Sequence, residues 1–124
     1  MERKARAVWK GGLKDGKGEF SAQSGVFSHT PYSFKTRFED APGTNPEELI
    51  AAAHAACFSM ALSAQLGEAG LTADKIETTA TVTFDKTPSG ALGSSGACLR
   101  ISALVKPAVT SPVVALAVHQ DGFR

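Results

Sequence analysis

The chemistry this chain can do centres on one cysteine. Cys57 stands in the stretch "PEELIAAAHAACFSMALS", residues 46–63, where apolar and small side chains run almost unbroken. A cysteine acts as nucleophile or redox group through its thiolate, which needs a helix N-terminus or a nearby cation. The stretch predicts a helix, and Cys57 lies far inside it, whereas the helix dipole acts only within the first turn. A basic side chain from elsewhere must therefore activate it. His54 is three positions back on the same helix face, so a Cys–His pair is one arrangement. A packed or water-bonded histidine is the plainer one. Free cysteine is also among the most buried residue types and commonly serves as a small hydrophobe. Glu47 and Glu48 open the helix, where acids complement the dipole. Glu48 falls where a capping box needs it, which leaves Glu47 available for another role, although a first-turn acid needs none.

The helix that carries these residues has well-marked ends. Asn45 suits the N-cap, Pro46 the first helical position, and Gly67 and Gly70 offer stops. A helix over about 46–69 is roughly 36 Å long. Between Leu49 and Leu62 only His54 and Ser59 are polar, which predicts a helix buried on most sides. Strands flank it. "ARAVWK" and "GEFSAQ" are short strand-like runs joined by the turn "GGLKDGKG". "PYSFKTRFED" alternates Tyr32, Phe34, Thr36 and Phe38 against Ser33, Lys35, Arg37 and Glu39, the pattern of a half-buried strand with Arg37 on its polar face. "KIETTATVTFDK" alternates as cleanly, "PSGALGSSG" reads as a flexible loop, and "CLRISALVK" as a further strand. The tail "PAVTSPVVALAVHQDGFR" reads poorly, with two prolines, a short apolar run and no caps. The fold class is α+β, with antiparallel strands around one long central helix.

The chain of 124 residues suits one domain with one core. Its formal charge of +1 is spread over mixed acids and bases, so no basic patch points to nucleic acid. No signal peptide is apparent, and no segment is expected to span a bilayer, so the expected compartment is the cytoplasm. The two cysteines, Cys57 and Cys98, are too few for a disulfide scaffold. His29, His54 and His119 are scattered, and no zinc, phosphate-loop or dinucleotide motif occurs, so no metal and no cofactor is expected. One sheet covers only one side of a helix. A helix apolar all round thus predicts a second copy of the chain, a homodimer.

"YSFKTRFE", "GTNPEELIAAAHAACFSMALS" and "GEAGL" closely resemble the OsmC branch of the OsmC/Ohr family of thiol-dependent peroxidases, from about residue 5 to about residue 90. The resemblance implies an intertwined α+β homodimer that reduces organic hydroperoxides, then is restored by an external dithiol. It implies a peroxidatic Cys57 with an arginine and a glutamate around it. Arg37 in "TRFE" and Glu47 in "NPEEL" match those two positions. The Ohr branch takes its arginine from the first hairpin, where this chain has Lys14 and Lys17. That branch usually has tyrosine in place of His54, which argues against a catalytic His54. Phe34, Phe38, Phe58 and Met60 would supply apolar walls for a greasy peroxide. Since Glu47 and Cys57 are roughly 15 Å apart along one helix, an arginine touching both implies a site shared between subunits.

The resemblance weakens toward the C-terminus. The family continues with a strand, a second helix carrying "GCPV" and a closing strand, so its fold is expected to be incomplete here after about residue 106. "SPVV" is the nearest echo, with Ser111 where the resolving cysteine would stand. Cys98 lies in a different element and is a weak alternative for that role. Two other readings stay open: a non-catalytic dimeric scaffold or thiol-based sensor, and a thioesterase-like enzyme with Glu47 as base.

Overall fold

A computed structural model of the chain describes residues 1–84, 97–107 and 114–120. The described residues fall into two compact units, Met1–Pro46 and Glu47 onward. The first holds strands β1 (Ala5–Lys10), β2 (Lys17–Ala22) and β3 (Thr30–Tyr32), followed by a short helix α1 (Phe34–Phe38). The strands form an antiparallel sheet in the order β1-β2-β3. Period-two alternation gives it two unlike faces. Trp9, Gly18, Phe20 and Tyr32 share one, where Phe20 meets Tyr32 at 5.6 Å and Phe27 edge-on at 5.3 Å between ring centroids. Arg6, Val8, Lys10, Lys17, Glu19 and Ser21 share the other.

The strand expected over "PYSFKTRFED" is corrected here: it ends at Tyr32, and the chain turns into α1. Ser33 is in extended backbone and caps that helix with a reciprocal pair of bonds. The Ser33 N–H donates to Thr36 Oγ1 at 2.9 Å, and the Thr36 N–H donates to Ser33 Oγ at 3.4 Å. The alternation of aromatic and polar residues is real. However, Phe34 and Phe38 are also four apart, which puts them on one helix face, and the local capping bonds decide between the two periods. Downstream, the Asn45 side-chain amide donates to the Thr36 carbonyl at 3.1 Å and ties the connecting loop back onto α1.

The second unit contains nearly all of the long helix α2 (Pro46–Glu68) and strands β4 (Ala73–Phe84), β5 (Ala97–Pro107) and β6 (Val114–Gln120), ordered β4-β5-β6 and antiparallel. The α2 helix starts and stops close to where its signals place it. Its end is a Schellman turn: Gly70 has φ +74°, its N–H donates to the Gly67 carbonyl at 3.0 Å, and the Leu71 N–H donates to the Leu66 carbonyl at 2.8 Å. The β4 strand shows the expected alternation, with Ile76, Thr78, Ala80 and Val82 half-buried and Glu77, Thr79, Thr81 and Thr83 exposed. A polar pair links helix to sheet. Ser59 donates to the Ala55 carbonyl at 2.9 Å, so the hydroxyl hydrogen in the 2.7 Å contact with Thr78 comes from Thr78.

Three further expectations are corrected. First, the helix is not buried on most sides within one chain, since no residue of α2 is buried. Second, α2 is long and apolar enough to cross a membrane by length and composition, with mean hydropathy 1.5, so one segment does meet that test; the core helix of a soluble protein meets it equally. Third, the tail contains a strand, β6, in register with β5 from Leu99↔Gln120 to Val105↔Val114. Pro107 is the last residue of β5, in register with Ala73, so it stands at the end of its strand. The "PSGALGSSG" loop and Ser111 lie outside the described residues.

Candidate functional site

Helix periodicity sorts the α2 side chains into two stripes. Ala51, His54, Ala55, Phe58, Ser59, Leu62 and Leu66 are half-buried. Ile50, Ala53, Cys57, Met60, Ala61 and Ala64 form an exposed apolar stripe, with Ile50 48% and Met60 77% accessible. Cys57 is a free cysteine in the middle of it. The thiol is therefore exposed in the single chain and takes no part in that chain's own core packing. His54 lies on the half-buried stripe and Glu47 is half-buried in the first turn.

Arg37 lies in a concavity of the first unit, of about 210 Å³, lined by Trp9, Leu13, Tyr32, Ser33, Phe34, Arg37 and Phe38. The α1 helix delivers three of these. Phe34 and Phe38 meet one turn apart with centroids 4.7 Å apart and planes tilted by 41°, and the Arg37 guanidinium lies 5.2 Å from the centre of the Phe38 ring, within cation–π range. Arg37 is thus placed among aromatic rings by a helix turn, not on the polar face of a strand. Guanidinium beside apolar walls is an arrangement that can take an anionic or strongly polar head joined to an apolar body.

The structure brings Arg37, Phe34 and Phe38 together in this pocket, and it places Glu47, Cys57, Phe58 and Met60 along α2 in the second unit. Cys98 is in β5, opposite Thr83 in register. Trp9, Leu13 and Tyr32 were not singled out as pocket residues from the sequence. Trp9 is the single tryptophan of the chain, at the end of a strand, and that was the available signal. Among the described residues no group of three or more His, Cys, Asp or Glu is arranged to hold a metal ion.

Residues 38–118 match the family model described as OsmC-like protein. The chain belongs to this family. The match continues past residue 90, through β5 and into β6, so the likeness reaches further than the quoted motifs. The chain is similar to Peroxiredoxin OsmC of Escherichia coli and to that of Shigella flexneri, in each case 59% identical over 90 residues. These alignments cover 73% of this chain and 63% of the relative, so the chain spans somewhat less than two thirds of their length. Among solved structures it is similar to an organic hydroperoxide resistance protein OsmC from Legionella pneumophila, with TM-score 0.56 and 22% identity over 87% of this chain and 73% of that one. This likeness is one of fold alone. Another is the organic hydroperoxide resistance protein OhrB of Bacillus subtilis, with TM-score 0.52 and 25% identity over 87% of this chain and 74% of that one.

Proposed function

We propose that this OsmC-like protein is a thiol-dependent peroxidase that reduces organic hydroperoxides in oxidative or osmotic stress defence, with Cys57 as the peroxidatic thiol. The observation that carries the reading is an exposed free thiol at Cys57, within a chain 59% identical over 90 residues to relatives named as peroxiredoxins. In the proposed reaction the Cys57 thiolate attacks the distal oxygen of ROOH. The S–O bond forms as the O–O bond breaks, two electrons pass from sulfur to the peroxide, and the alkoxide takes a proton to leave as ROH. Cys57 becomes a sulfenic acid. An external dithiol then attacks that sulfur, releases water and supplies the two electrons that restore the thiol.

Arg37 is the proposed fixed charge. Its guanidinium would hold the thiolate and the peroxide oxygens and stabilise negative charge on the departing one. Glu47 would orient that guanidinium through paired bonds. Phe34, Phe38, Phe58 and Met60 are the proposed apolar walls, and the aromatic setting of Arg37 supports the first two. The protein is proposed to work as a homodimer. The reason is the exposed apolar stripe around Cys57, which a second copy would cover. The proposed compartment is the cytoplasm, where dithiol reductants are kept reduced.

The test is consumption of cumene hydroperoxide with dithiothreitol as reductant, for the parent chain and Cys57→Ser. The parent should turn over and the variant should not, with an unchanged far-ultraviolet circular dichroism spectrum. Equal rates would remove Cys57 from the chemistry.

A further inference from the structure

The pocket that holds Arg37 has a wall to which no motif gives a role. Trp9 on β1 and Tyr32 on β3 lie on either side of Gly18, each in register with it across β2. A side chain at position 18 would put its Cβ 2.6 Å from Trp9 Cε3 and 2.6 Å from Tyr32 Cε1, closer than real atoms approach. With glycine there, the two rings close over the bare backbone, their centroids 5.4 Å apart and their planes tilted by 50°. This is the use of a cross-strand aromatic pair to cover a strand glycine. The indole N–H donates to the Gly11 carbonyl at 3.1 Å, which fixes the rotation of the Trp9 ring. The wall is therefore set by backbone register and one hydrogen bond. Phe34 and Phe38 line the same pocket, their centroids 4.7 Å apart and their planes tilted by 41°.

The space between these rings is small. At about 210 Å³ it falls below the range of roughly 300–1,000 Å³ that pockets for drug-sized ligands occupy. A phenyl or tertiary alkyl group fits such a volume, and its faces and edges can meet rings in the tilted geometries that aromatic groups prefer. A long acyl chain does not fit inside this space and would extend beyond the rings that line it. We propose that Trp9 and Tyr32, closed over Gly18, are specificity-determining residues that select compact aromatic or branched organic groups beside Arg37. Leu13, in the turn after β1 and 52% accessible, forms the outer lip. This deepens the peroxidase reading by naming the peroxides it favours, and it rests on that reading for the reaction alone.

Two measurements on the full chain test it separately from turnover. The first uses Cys57→Ser, which cannot react, and follows the fluorescence of Trp9, the one tryptophan, during titration with 2-phenyl-2-propanol, the alcohol left by cumene hydroperoxide. A saturable change is expected, weakened about tenfold by adding Gly18→Ala, a loss of the size that small steric changes in apolar pockets produce. No saturable change overturns the proposal. The second compares kcat/KM for cumene hydroperoxide with that for a linoleic acid hydroperoxide. Trp9→Leu and Tyr32→Leu should lower that ratio about tenfold, and Trp9→Phe should largely keep it. Leu13→Ala, at an exposed turn position that leaves the sheet intact, should shift the ratio toward the long chain. Equal losses on both substrates, with the ratio fixed in all variants, overturn the proposal. Saturable binding in a parent chain that shows no turnover supports the pocket and sinks the peroxidase reading instead.

Discussion

Replacing sulfur by oxygen at Cys57 keeps the shape of the side chain and removes its nucleophile, so Cys57→Ser isolates the chemistry. Arg37 is the more informative residue, because its role depends on geometry as well as charge. Lysine keeps the charge but loses the planar fork and the stacking on Phe38. Arg37→Lys should therefore lower kcat/KM for cumene hydroperoxide by about 10²-fold, the loss typical when a preorganised charge-stabilising donor is removed. A rate within a factor of two of the parent would mean that any cation suffices. The fate of oxidised sulfur is also a residue-scale matter. Cys98 lies in a strand, paired with Thr83, and a disulfide requires Cα atoms within about 7 Å and well-aimed side chains. Cys98 is not expected to resolve Cys57. With excess peroxide and no reductant, intact-mass spectrometry should show Cys57 advancing to sulfinic and sulfonic acid. A rapid loss of two hydrogens, mapped to a Cys57–Cys98 bridge, would reverse that expectation.

At the scale of elements, two glycines near the end of α2 make opposite predictions. Gly67 is helical and faces open space, so Gly67→Ala should stabilise by about 0.5–1 kcal/mol. Gly70 closes the Schellman turn at φ +74°, so Gly70→Ala should cost about 1–2 kcal/mol although its surroundings are equally open. Urea unfolding should show the two midpoints moving in opposite directions with unchanged slope. Movement in the same direction would contradict the helix end described. This helix was legible from sequence because its limits are local: Asn45 and Pro46 mark one end and Gly70 the other. The segment 33–38 was not, since its aromatic residues satisfy both a strand period and a helix period. The Ser33–Thr36 capping pair was the missed cue. The β6 strand is hard to read from sequence because its apolar run is short and has no clear alternation, and only its register with β5 defines it. Cys57, Arg37 and Glu47 were legible as candidates by resemblance. The pocket wall of Trp9 and Tyr32 was not, because it depends on register across three strands.

On the scale of the whole molecule, α2 raises a question that one chain does not answer. Water meets an apolar stripe from Ile50 through Cys57 to Ala64, and such surface favours association. The proposed homodimer places a second copy there. Met60→Glu puts a charge on the most exposed large side chain of that stripe. Sedimentation velocity should find the parent as a dimer and this variant shifted strongly toward monomer, since an unpaired charge in an apolar interface costs several kcal/mol (order of magnitude). A parent that sediments only as monomer would remove the dimer and any site shared between subunits.

The most direct test of the central proposal is to catch the oxidised sulfur. The full chain, reduced and freed of reductant, is mixed with one equivalent of cumene hydroperoxide in the presence of dimedone, which labels sulfenic acids. The expected result is one dimedone adduct per chain, mapped by digestion to the peptide containing Cys57, with one equivalent of 2-phenyl-2-propanol released. An unlabelled Cys57 with the peroxide left intact, or a label carried by Cys98 in its place, would contradict the assignment of Cys57 as the peroxidatic thiol.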